Sequence, residues 1–130
     1  MNKILRNVLI IVGSLALLLF VASQVLTSYT KSHSPEDTVI YTDRDLKIEV
    51  FYNRPSKKDR EIFGGLVPYN EVWRTGANEA TTFETNKDLS IQGKTLKAGK
   101  YTLWTIPSEN TWKVIFNDKM YGWGVGFDAK

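Results

Sequence analysis

The sequence predicts an all-β fold, an antiparallel β-sandwich or partly open barrel, preceded by one N-terminal transmembrane helix. Three observations carry that prediction. Val8 to Leu26 runs without a charge. Beyond Thr38 apolar residues recur with a period of two, as half-buried strands require. Turn-forming residues then recur at roughly eight- to twelve-residue intervals, the spacing of sandwiches and barrels.

The elements follow in chain order. Residues 1–7 form a short basic N-terminus with Lys3, Arg6 and the terminal amine. Residues 8–26 are nineteen in number, and at about 1.5 Å each they nearly match a hydrocarbon core about 30 Å thick. They are apolar all round, unlike a helix buried on one side. Positive charge ahead of the span, with only Lys31 soon after it, predicts a cytoplasmic N-terminus and a domain on the extracytoplasmic, periplasmic side. The competing reading is a cleaved signal peptide, with Val21-Ala22-Ser23 as the processing site and a secreted product. Residues 27–37, rich in Ser and Thr and ending near Pro35, read as a polar linker.

Residues 38–130 are the predicted β domain. A short strand over Thr38–Thr42 turns at Asp43-Arg44-Asp45 into Leu46, Ile48, Val50 and Tyr52, which alternate with polar neighbours. Further strands are expected at Thr81–Thr85, Leu89–Gln92, Tyr101–Ile106 and Trp112–Asn117. Pro107 ends one of them because it cannot donate to a ladder. Met120–Lys130 is rich in Gly and aromatics and offers no closing strand, which leaves an edge to be covered.

Composition removes several chemistries. Of seventeen Lys and Arg residues, Lys3, Arg6 and Lys31 precede Pro35, so fourteen basic side chains meet fourteen acidic ones in the domain. That balance lacks the basic footprint of a nucleic-acid binder. With no cysteine there are no disulfides, thiolate nucleophiles or zinc–thiolate sites. The single histidine, His33, sits outside the domain, which removes His-based metal clusters and an intrachain Ser-His-Asp triad. No acidic loop is dense enough for calcium, and no cofactor or metal site is expected.

One stretch breaks the alternation. Phe63–Thr82 holds two adjacent glycines, Pro68, Tyr69, Trp73, Arg74, Asn78 and Glu79. A long irregular segment in a small domain is usually either functional or wrongly assigned, and this one is read as the functional surface. Arginine forks suit carboxylates, phosphates and sugar hydroxyls, and Trp or Tyr stacks on sugar rings. Arg60, Tyr69, Trp73, Arg74, Asn78 and Glu79 are therefore the candidate ligand-binding residues, for a polar small molecule, a glycan or an envelope protein. The structural alternative has Arg74 pairing with Glu71 or Glu79 to tie the loop down, Trp73 and Trp104 serving as core, and the glycines making turns. Glu71 and Glu79 are also a candidate carboxylate pair for glycan hydrolysis. No catalytic residue can be assigned, and the open sheet edge fits an assembly module completed by a partner strand.

Arg60–Thr82 (REIFGGLVPYNEVWRTGANEATT), Gly93–Pro107 (GKTLKAGKYTLWTIP) and Trp112–Asn117 (WKVIFN) together resemble a bacterial family known as domain of unknown function 2911, common in Bacteroidetes. The resemblance covers about Ile48–Asp128. It implies a secreted or envelope-associated β-rich protein and transfers no catalytic residues. Members usually continue past the Gly-Trp-Gly stretch, so the resemblance also implies a C-terminally truncated version.

Overall fold

The computed structural model describes residues 2–128 and divides into two compact units, Met1–His33 and Ser34–Lys130. Met1 with its terminal amine, and Ala129-Lys130 at the end of the predicted domain, lie outside the described residues.

Helix α1 spans Lys3–His33 and buries none of its side chains in the protein. Asn2 caps its first turn, with Oδ1 accepting the Ile4 amide hydrogen at 3.1 Å. The helix is long and apolar enough to cross a membrane, as a retained anchor or as a signal sequence. It extends through residues 27–33, expected to be linker. The hydroxyls of Thr30 and Ser32 donate back to the carbonyls of Thr27 and Tyr29 at 2.9 and 2.7 Å, so these polar residues are accommodated within the helix. Lys31 and His33 complement the negative end of the helix dipole.

The second unit is antiparallel throughout its strands, in the fold class the alternation predicts, and it is open rather than a closed barrel. Strands are β1 (Glu36–Asp43), β2 (Leu46–Asn53), β3 (Trp73–Arg74), β4 (Thr82–Thr85), β5 (Leu89–Ile91), β6 (Lys94–Leu96), β7 (Gly99–Pro107) and β8 (Trp112–Asn117). Six of them form one sheet in the order β1-β2-β4-β7-β3, with β8 on β7, while β5 and β6 make a separate hairpin. The β5–β6 turn is Gln92-Gly93, both at positive φ, as a two-residue hairpin requires. Asn86 locks the β1–β2 turn by accepting from the Lys47 amide and donating to the Asp45 carbonyl, each at 2.8 Å.

Register separates the two faces of the large sheet. Val39, Val50, Phe83 and Tyr101 are paired in succession across four strands and share one face. Phe116 joins them, with its ring 5.2 Å from Phe83 and 6.2 Å from Tyr101. On the opposite face the corresponding row is Ile40, Glu49, Glu84 and Lys100, and the last two form an ion pair at 3.4 Å. Next to it lies the row Phe51, Thr82, Thr102 and Asn117. Residues 118–128 fold back over this second face, with Tyr121 and Phe127 packed edge-on against Trp104 at 5.2 and 5.1 Å.

Among the described residues the buried apolar side chains are few, namely Val67, Ala80, Trp104 and Pro107. The apolar face is left half-covered. Both edges are apolar too, with β1 exposing Val39, Ile40 and Tyr41, and β8 exposing Trp112 and Val114, each at about half of its surface.

Candidate functional site

The irregular stretch resolves into a detour in one edge of β7. β3 pairs with β7 through Trp73↔Thr105 and Arg74↔Trp104, and β4 pairs with the same strand from Thr82↔Thr102 onward. Thr75–Thr81 leaves the sheet between them, opposite Leu103. Two hydrogen bonds close the gap: the Thr75 hydroxyl donates to the Leu103 carbonyl and the Leu103 amide donates to the Thr81 carbonyl, each at 2.9 Å. The Thr81 hydroxyl also donates to the Thr75 carbonyl, drawing the two ends of the detour together. Gly76 sits at φ +85°, where a Cβ would stand 2.8 Å from the Asn53 carbonyl oxygen.

The tip of the detour holds both ends of the domain. Asn78, at φ 53° and buried, donates from Nδ2 to the Ser34 carbonyl at 3.5 Å. Its own carbonyl accepts the Gly124 amide at 2.9 Å, and Glu79 forms an isolated bridge with Trp123. Glu79 Oε2 accepts from Asn53 Nδ2 at 3.3 Å. Asn53 is only 1% exposed, and its Oδ1 is the buried side-chain polar atom left without a partner among the described residues. Asn78 and Glu79 thus tie the first and last segments of the domain to the sheet.

The other candidates are distributed differently. Arg60 is exposed, and its guanidinium donates to the carbonyls of Lys57 (2.9 Å) and Ser56 (2.7 Å), capping its own turn. Tyr69 is half-buried with its ring against Gly64, where an added Cβ would lie 2.9 Å from Cε2. Trp73 is half-buried opposite Thr105. Arg74 is also half-buried, and its Cδ would be 3.5 Å from a Cβ on Gly124. Among the described residues its guanidinium has neither a hydrogen bond nor an ion pair, so the expected bracing by Glu71 or Glu79 is not what holds the loop. Glu71 lies exposed.

Sequence reasoning missed a second polar group beneath residues 118–128. Thr102 is fully buried, and its hydroxyl donates to the Lys119 carbonyl at 2.9 Å while lying 3.4 Å from Trp104 Nε1. Asn117 donates to the Asp128 carbonyl and accepts the Lys119 amide, both at 2.8 Å. The available signal was the alternation itself, which puts Asn53, Thr102 and Asn117 on the polar side of their strands next to Trp104. Lys119 and Asp128 close the segment with an ion pair at 2.9 Å, which raises the Lys119 pKa above its usual 10.5. Among the described residues no group of three or more His, Asp or Glu side chains is placed to hold a metal ion.

A family model described as "Protein of unknown function (DUF2911)" matches residues 34–130, the whole β unit. No curated protein matches the chain, and no solved structure matches it.

Proposed function

The chain belongs to the DUF2911 family, and from that premise we propose that it is a membrane-tethered, non-enzymatic assembly module that recognises a protein through the open edge of its sheet. α1 serves as a retained anchor with a cytoplasmic N-terminus, and the β unit faces the extracytoplasmic side. The observation that carries this reading is β1, an edge strand whose Val39, Ile40 and Tyr41 are 52%, 56% and 55% exposed. Soluble domains normally blunt such an edge with charge, proline or a covering loop; on β1 the charges, Glu36, Asp37 and Asp43, sit at the two ends and leave the middle of the strand apolar. The occupant is an extended, β-prone segment of another polypeptide, which adds to β1 as a further strand.

A photoreactive amino acid placed at Ile40 of the full chain in native membranes tests the reading. It should form a covalent protein adduct that the same group at Lys57, exposed on a turn, does not form. No adduct at Ile40, or equal adducts at both positions, would overturn it.

A second reading rests on Arg74, a half-buried residue whose guanidinium has no hydrogen bond or ion pair among the described residues. It assigns the residue 69–79 loop to a polar ligand such as a glycan, with Arg74 as the hydrogen-bonding fork. Thermal shifts of the full chain in detergent, measured against a panel of acidic oligosaccharides, should vanish in Arg74→Ala with the circular dichroism unchanged. A variant that fails to fold makes the loop scaffold and ends this reading. The hydrolase alternative has less support, because Glu79 already bonds the Asn53 amide while Glu71 is exposed on a turn.

A further inference from the structure

We infer that the polypeptide added to β1 is a second copy of this chain, paired antiparallel about a twofold axis through Ile40. The inference rests on the open-edge reading above and names its partner. Asn86 and Arg54 fix which backbone groups of β2 face which neighbour. Lys47 exchanges hydrogen bonds with Asn86 on the β4 side, and the Arg54 amide donates to the Pro35 carbonyl on the β1 side. Alternation along the ladder therefore turns Pro35, Asp37, Val39, Tyr41 and Asp43 toward β2. The N–H and C=O groups of Thr38, Ile40 and Thr42 point outward.

The strand is nearly palindromic about the middle one of those outward residues. Read from Ile40 in both directions, DTVIYTD gives Val39 and Tyr41, then Thr38 and Thr42, then Asp37 and Asp43. A twofold axis at Ile40 pairs the outward-facing groups of Ile40 with Ile40 and Thr38 with Thr42, and brings Glu36 toward Arg44, which lies in the turn just past the strand. Val39 then meets Tyr41 of the other copy. Thr–Thr and β-branched–aromatic pairs are among the favourable cross-strand combinations, and Glu36 near Arg44 is complementary in charge. Each copy presents the same patch, as a closed isologous dimer requires. Two features oppose the pairing. Asp37 comes to lie opposite Asp43, and the Asp37 carboxylate must release the Thr38 amide hydrogen it now accepts at 2.8 Å. Both are properties of Asp37 and Asp43, so they fix the direction of a charge-change experiment.

The chain has no cysteine, which makes disulfide trapping clean. In this register the two Ile40 Cα atoms are about 5.5 Å apart, within the range a disulfide spans. Full-length Ile40→Cys, purified in detergent and mildly oxidised, should run as a covalent dimer. Thr38→Cys and Thr42→Cys should cross-link when mixed and much less when oxidised alone. Val114→Cys, on the far edge, should stay monomeric. Asp43→Lys should raise the dimer fraction several-fold in sedimentation, and Ile40→Lys should abolish the dimer. A monomeric Ile40→Cys, equal trapping at Val114, a dimer that survives Ile40→Lys, or no gain from Asp43→Lys would each overturn the inference. If Ile40→Cys stays monomeric while the photo-adduct at Ile40 forms at the mass of another protein, the second copy is wrong and the open-edge module stands. If neither forms, both fall.

Discussion

Gly76 is the position where the detour in β7's edge is most sharply testable. Alanine there must adopt φ near +85°, which costs an L-residue about 1–2 kcal/mol. Its Cβ would also stand 2.8 Å from the Asn53 carbonyl oxygen and 3.2 Å from Thr81 Oγ1. The nearer atom is backbone, held at the end of β2, so the chain must shift at an overpacking cost of about 1–3 kcal/mol. Gly93 supplies the internal control, since its φ is +76° and nothing lies within 4 Å of an added Cβ. Both substitutions restrict the unfolded chain equally, worth about 0.4–1 kcal/mol in the opposite direction. Gly93→Ala should therefore destabilise by about 1 kcal/mol, and Gly76→Ala by about 2–4 kcal/mol. That is a large share of the 5–15 kcal/mol typical of a domain, at about 4–8 °C of melting temperature per kcal/mol. Urea titration of the full chain in detergent, followed by tryptophan fluorescence, measures both variants. A Gly76→Ala no worse than Gly93→Ala would refute the close approach of the detour to Asn53.

Three further expectations concern the buried polar groups and the surface ion pairs. Thr102→Val removes the hydroxyl at the Lys119 carbonyl and Trp104 indole and should cost about 1–3 kcal/mol, with faster amide exchange in residues 118–128; Thr102→Ser keeps those bonds, and if it alone speeds that exchange the hydroxyl is not the anchor. Asn53→Asp sets a buried carboxylate against Glu79 and should destabilise by about 3–5 kcal/mol in the same urea titration, where unchanged stability would refute the contact. Asp45 and Asp88 are held below 3.8, chiefly by hydrogen bonds from Lys87 and Lys97, while Lys97 and Lys119 are held above 10.5 by Asp88 and Asp128. The acidic groups' contribution is present above 3.8 and fades as pH falls through their folded values; that of the lysines is present below 10.5 and fades as pH rises through theirs. A melting temperature that is level between these limits and declines slightly beyond each is the expected profile, and a slope centred near neutrality would contradict it.

The alternating strands were legible because one face of each is apolar. Leu46 to Tyr52 states its own register, and Trp112 to Asn117 does the same. The end of α1 was not legible, since Thr30 and Ser32 are linker residues by composition and become helical through back-bonding to the previous turn. β3 has two residues, too few for any period to register, and it is set by its pairing with Trp104 and Thr105 on β7. The irregular loop was singled out because it breaks the alternation and concentrates Arg, Trp, Asn and Glu. What its side chains do depends on contacts distant in sequence, such as Asn78 with Ser34 and Glu79 with Asn53. No local pattern encodes those.

The first residues of the β unit also bear on mechanical load. Tension arriving along the chain from the N-terminal side first meets the Ser34 carbonyl on Asn78 and the Pro35 carbonyl on the Arg54 amide. Behind them lies the Glu36↔Asn53 rung, the first of a ladder that a sideways tug opens one rung at a time. β1 can thus peel away while β7, paired on both sides, keeps the remainder of the sheet intact. Under a pull in that direction, the outermost strand yields first and the strain passes little further inward.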